Sequence, residues 1–191
     1  MPLLVLFVIL AIIVYFKYLW PLILIIIVAI ILYVRAINKA EEEKREAIRY
    51  KQETIRRDVY SSRFLYYKDF EARWLNADSS TNGRGRDGFK YQDGPGCYVI
   101  VIHRSPVTGG NYKNYENIYI GQSINVCQRV HNHFNGKGNG DIYADIRNGK
   151  WVYVQFIRCP QEELNRREKE LIAAFNATTS YNRTKGGSAI R

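Results

Sequence analysis

The chain has 191 residues and a formal net charge of +10, from 28 Lys and Arg against 18 Asp and Glu. Its apolar residues are concentrated at one end: Lys17 is the single charge between Pro2 and Val34, and the polar remainder carries all but one unit of the surplus. That asymmetry excludes one uniform soluble domain, divides the chain into a membrane part and a soluble part, and directs the soluble part toward anionic partners such as nucleic acid or acidic lipid headgroups. Three cysteines, Cys97, Cys127 and Cys159, stand singly in separate apolar stretches. Their odd count and wide spacing argue against a disulfide framework and against zinc, leaving buried small hydrophobes in a reducing compartment.

The first apolar stretch, LLVLFVILAIIVYF, is followed by KYLWP and then LILIIIVAIILYV. As one helix it would run roughly 48 Å, against a hydrocarbon core of about 30 Å. Two readings fit residues 1–34 as a membrane anchor: a hairpin of two short segments breaking near Lys17 to Pro21, or one span from about Tyr18 to Val34 with an interfacial first half. The hairpin is preferred, because Lys17 is costly at mid-bilayer and Tyr18 and Trp20 suit an interface. No basic side chain opens the chain and no small-residue cleavage site follows, which argues against a cleaved signal peptide. Arg35, Lys39, Lys44 and Arg45 come next, and the positive-inside bias puts the C-terminal part on the cytoplasmic side of a cell membrane.

Residues 35–77 lack Gly and Pro and are rich in helix formers. Ala36, Ile37, Ala40, Ala47, Ile48, Ile55, Val59, Phe64 and Leu65 give a thin apolar stripe on a charged helix, a stalk that either self-associates or lies on the membrane surface. Residues 78–95, rich in Gly, Ser, Asn and Asp, read as a linker in which Arg84, Arg86 and Lys90 are candidates for phosphate contact.

The last domain spans 96–191. Cys97 to Ile102 is a nearly continuous β-branched run, the pattern of a strand buried on both faces, and Ile118 to Gly121 is a second, shorter strand. Ser123 or Asn125 caps a helix reaching about Phe134, whose buried face is Val126, Cys127, Val130 and Phe134; Arg129 and His133, four apart, line one edge of it. A short helix with a Gly stop follows in DIYADIRNGK, then a third strand in KWVYVQFIRC, then a strong helix after Pro160. In that last helix Glu168 falls inside the apolar stripe of Leu164, Leu171, Ile172 and Phe175. An ionised carboxylate there is costly unless it is paired or binds a metal.

In order, the chain shows Gly96-Cys97-Tyr98, Tyr119-Ile120-Gly121, Arg129 and His133, Glu168, and Asn182 after Tyr181. This succession resembles the GIY-YIG nuclease family. Cys97 replaces the family's Ile, and the loop from Arg104 to Asn117 is longer than in compact members. The run His131-Asn132-His133 does not make an HNH nuclease, whose residues come from separated positions. Asn176-Ala-Thr and Asn182-Arg-Thr match glycosylation acceptors that a cytoplasmic domain would not present to that machinery.

The resemblance implies an α/β domain with a central three-stranded sheet flanked by helices, and an endonuclease that hydrolyses phosphodiester bonds. Glu168 is then the single protein anchor of a Mg²⁺ ion, for which Mn²⁺ can substitute. Tyr98 matches the tyrosine that activates water, with Tyr119 the other candidate for that base; Tyr119 and His133 orient or relay its proton, Arg129 grips the phosphate, and Asn182 holds the site together or bonds the phosphate. Gly121, Lys137, Arg147, Lys150, Arg183 and Lys185 are candidates for substrate contact, the basic ones holding the backbone without reading bases, and since no separate recognition module is visible, low sequence specificity for DNA is expected. The membrane anchor suggests action on DNA entering the cell. The alternatives are a non-catalytic nucleic-acid-binding membrane tether, or a scaffold with a protein partner on the stalk.

Overall fold

In a computed structural model of the chain, residues 2–74, 88–91, 93–184 and 186 are described, with only the main chain at Pro2. Arg84, Arg86, Lys185 and most of the expected linker lie outside the described residues. Two units are distinguished, residues 1–49 and 50–191.

The first helix, α1, spans Pro2–Ser61 with Pro21 inside it. A hairpin therefore does not form at Lys17 to Pro21. Tight reversals call on Gly, Pro, Asn, Asp or Ser, and KYLWP offers only Pro21, with no Gly or Asn to take a positive φ. An interior proline costs a helix about 3 kcal/mol, which does not outweigh the propensity of the Leu- and Ile-rich turns on either side. Among the described residues α1 is the one helix that is long and apolar enough to cross a membrane, judged by length and composition, and none of its apolar window is buried.

The second unit is built on a four-stranded antiparallel sheet in the order β1-β4-β2-β3, with β1 at Leu65–Tyr66, β2 at Gly96–His103, β3 at Asn117–Ser123 and β4 at Trp151–Arg158. The expected three strands are all present; the fourth is β1, which pairs Leu65 with Val154 and Tyr66 with Tyr153. Two residues are too few to show strand alternation, so β1 reads in sequence as the end of the stalk stripe.

Helices α2 (Tyr67–Ala72), α3 (Val126–Phe134), α4 (Gly140–Arg147) and α5 (Leu164–Phe175) cover the sheet. Side chains of β2 alternate between two cores, as the period of two in a strand requires. Cys97, Val99 and Val101 meet Leu164, Leu171 and Phe175 of α5 together with Val59 and Phe64. On the other face Tyr98, Ile100 and Ile102 meet Phe70 and Trp74, Val126, Val130 and Phe134 of α3, and Ile142 of α4. All eight residues of β2 are buried, as the apolar run predicts.

The compact unit thus begins at Tyr50. Ile55 packs on the α5-side core, Arg56 donates to the carbonyl of Ala174 at 2.8 Å, and Lys51 pairs with Glu170 at 2.9 Å. This half of the stalk stripe is consumed by the chain's own core and is not available for self-association. The loop from Arg104 to Glu116 is also held down: the Val107 amide donates to the Tyr153 hydroxyl at 3.0 Å, and Tyr112 stacks on Phe64.

Candidate active site

The candidate residues gather at the free edge of β3. Register places Tyr98 opposite Gly121, and Ile100 opposite Tyr119. A Cβ on Gly121 would lie 2.3 Å from Tyr98 Oη, so only glycine lets the phenol cross the neighbouring strand. Tyr98 and Tyr119 belong to the α3 face of the sheet. Glu168 comes from α5 on the opposite face, where Gln122, two residues beyond Ile120, donates to its Oε2 at 3.1 Å and to Asn165 at 2.6 Å. The site therefore straddles the sheet edge, with contributions from both layers.

A cleft of about 1100 Å³ opens there, lined among others by Tyr98, Tyr119, Gly121, Gln122, Arg129, Asp141, Glu168, Asn182, Arg183 and Gly186. Of the expected substrate-contacting residues, Gly121 and Arg183 line it. Lys137 and Arg147 are exposed and outside its lining. Lys150 pairs with Asp145 at 2.9 Å and Glu116 at 3.2 Å, a fixed structural cation instead of a free phosphate contact. These two carboxylates arrive from α4 and the loop before β3, and residue spacing alone does not reveal the pairing.

His133 is fully buried behind the tyrosines. Its Nε2 lies 2.7 Å from Tyr98 Oη, and its Nδ1 accepts the Asn139 main-chain N–H at 2.6 Å. Burial and then the Arg129 guanidinium lower its pKa from 6.5 to about 3, so the ring is neutral at physiological pH. Burial drives Tyr98 well above the ordinary phenol range despite the opposing charge of Arg129. Tyr119 is also raised by burial, with Arg129 pulling the other way. Arg129 itself is exposed.

Asn182 is buried, and Ile120 uses both ends of its carboxamide: Oδ1 accepts the Ile120 N–H at 2.8 Å and Nδ2 donates to the Ile120 carbonyl at 2.6 Å. The side chain acts as a short substitute strand that closes the edge of β3. Its neighbour Tyr181 donates to Asp145 at 2.5 Å and accepts from Asn117 at 2.9 Å. Helix α3 is capped by Asp93, whose Oδ1 accepts the Cys127 N–H and Oδ2 the Gln128 N–H, each at 2.8 Å. The Asn125 side chain makes no cap bond, and Ser123 accepts only from the Asn125 amide, so the expected local cap is replaced by one from before β2.

Among the described residues no group of three or more metal-ligating side chains comes together. The residues nevertheless fit a hard cation held by one carboxylate and its own waters. Glu168 opens on the cleft, and Gly186, at φ +79, leaves space where a Cβ would lie 2.9 Å from Glu168 Oε2. Gln122 is the residue sequence reasoning missed. Its signal was legible: a polar side chain on the apolar face that Ile118 and Ile120 define.

Fold and cleft together define a small α/β domain with a tyrosine-, arginine- and glutamate-lined site at a sheet edge. Residues 96–182 match the family model described as the GIY-YIG catalytic domain, which points to a nuclease-type hydrolase family. No curated protein and no solved structure matches the chain.

Proposed function

We propose that the chain is a membrane-anchored, metal-dependent endonuclease that hydrolyses DNA phosphodiester bonds with low sequence specificity. The observation that carries this reading is the convergence of Tyr98, Tyr119, Arg129 and Glu168 on one cleft within the matched domain. Arg129, exposed at the cleft, grips the scissile phosphate through its planar set of donors. Tyr98 accepts a proton from the attacking water once its own has left. Arg129, through its charge and a hydrogen bond, opposes the cost of burying the phenolate, and the His133 ring lies 2.7 Å from its oxygen. Tyr119, less buried and beside Tyr98, carries that first proton toward the cleft. Glu168 would hold Mg²⁺ or Mn²⁺, with Gln122 fixing its carboxylate; when bound, the ion neutralises charge on the phosphoryl oxygens. Asn182 keeps the β3 edge in register and makes no substrate contact.

Residues 50–191 carry most of the positive surplus, which favours a polyanion held through its backbone. The apolar part of α1 supports membrane insertion, and Arg35, Lys39, Lys44 and Arg45 support a cytoplasmic catalytic domain. A position at the membrane suits cutting of DNA as it enters the cell. The test is cleavage of plasmid and of single-stranded RNA by the full chain in detergent micelles. Metal-dependent nicking of plasmid, lost in Arg129→Ala and in Tyr98→Phe, is expected. Cleavage of RNA alone would overturn the substrate, and plasmid binding without cleavage at any divalent ion would leave the tether function in its place. Flotation with vesicles that fails for the full chain would remove the anchor.

A further inference from the structure

His133 has two ring nitrogens and, in its neutral form, one proton to place. The Nδ1 position is taken by a donor that cannot do anything else: a main-chain N–H, that of Asn139, approaches at 2.6 Å. An amide never accepts, so Nδ1 must present its lone pair. The turn before α4 presses on this atom, since a Cβ on Gly138 would lie 2.3 Å from it. The ring proton is thereby forced onto Nε2, which faces Tyr98 Oη at 2.7 Å. The other charged or titratable groups around the pair are Tyr119 from β3 and Arg129 from α3. Among the described residues no carboxylate bonds the ring.

We infer that the Gly138–Asn139 turn locks His133 as a neutral Nε2–H donor to Tyr98, so that His133 holds and stabilises the phenol oxygen and never accepts its proton. Tyr98 must then direct its own hydrogen to an acceptor other than the imidazole nitrogen, and Tyr119 is the hydroxyl beside it. The inference deepens the nuclease reading and rests on it for its catalytic half; the lock itself is independent of that reading. Asn139 acts here through its main chain, as a positioning residue, which is why no side-chain pattern reveals it.

The test begins with ¹⁵N-histidine spectra of the full chain in micelles. The protein has three histidines, and His133→Gln identifies the signal. The expected ring has a protonated Nε2 and an acceptor-type Nδ1 that stay unchanged from about pH 8 to about pH 5, below the ordinary histidine pKa of about 6.5. A protonated Nδ1, or a ring that charges near the ordinary value, overturns the lock. The second arm is plasmid cleavage. The Gln amide reproduces a donor near the Nε2 position, whereas the shorter Asn amide and Ala do not. His133→Gln should retain activity within about tenfold of wild type, and His133→Asn and His133→Ala should lose about a hundredfold or more, the scale of a lost proton-positioning group. Equal losses in all three would contradict the donor role. If the wild type cleaves nothing, the nuclease reading fails while the spectrum still decides the lock.

Discussion

The carboxamide of Asn182 meets only main-chain atoms of Ile120, and its removal strands a buried N–H and a buried C=O. Asn182→Ala should cost about 1–3 kcal/mol in urea unfolding, the penalty for unsatisfied buried groups. Cleavage should fall through kcat with KM for DNA unchanged. A raised KM at unchanged stability would instead mark a phosphate contact. His133 gives a second prediction at this scale. Its folded pKa of about 3 lies below the unfolded 6.5, so the unfolded state binds the extra proton in between. Its contribution is whole above about pH 6.5 and is lost as pH falls toward 3. Wild type should therefore lose stability more steeply over that window than His133→Gln; parallel pH profiles would contradict this. Glu168 was conspicuous because it interrupts the apolar stripe of α5, whereas Tyr98, Tyr119, Arg129 and His133 were singled out only by the order they share with the GIY-YIG family, since each alone reads as ordinary core or surface. Asn139 was not, because a main-chain amide leaves no mark on the sequence.

Helix α3 carries both Arg129 and His133, and its orientation depends on a carboxylate from outside it. Asp93 accepts two of its N-terminal amides as well as the amide of Gly94. Asp93→Ala should lower stability by about 1–2 kcal/mol, as loss of a helix cap does, and reduce cleavage further than that change in stability accounts for. An unchanged unfolding midpoint would show that α3 is held by its buried face alone. The sequence announces a cap only when it immediately precedes the helix, and Asp93 precedes β2. The same separation hid β1, whose partner β4 lies more than eighty residues on, and the ion pairs of Lys150, whose carboxylates come from two other segments. The continuous run of β2 and the stripe of α5 were visible because their signal is local and periodic.

At the scale of the molecule, the boundary of the compact unit follows from what its core contains. Val59, Phe64, Phe70 and Trp74 are buried in the two cores, and Ile55 packs beside them. A fragment of residues 80–191 lacks these side chains together with β1 and α2, leaving cavities and an uncovered sheet face on the scale of several large-to-small substitutions at about 2–5 kcal/mol each. It should give the poorly dispersed amide spectrum of an unfolded chain, and a well-dispersed one would refute the placement of Tyr50–Trp74 in the unit. The composition split marked the apolar end, but it could not mark where packing begins, because a charged helix that docks along a narrow stripe has the same composition as one in solvent.

Glu168 is where the two layers of the domain meet at the cleft, and metal-dependent cleavage requires its carboxylate in the proposed function. The most direct measurement pairs Mn²⁺ binding, followed by electron paramagnetic resonance, with plasmid cleavage under Mg²⁺ by the full chain and by Glu168→Gln. The substitution should remove both the bound-ion signal and cleavage, by about a hundredfold or more, while the unfolding midpoint stays near wild type. Cleavage that survives in Glu168→Gln, or an ion bound equally well without the carboxylate, would contradict that requirement.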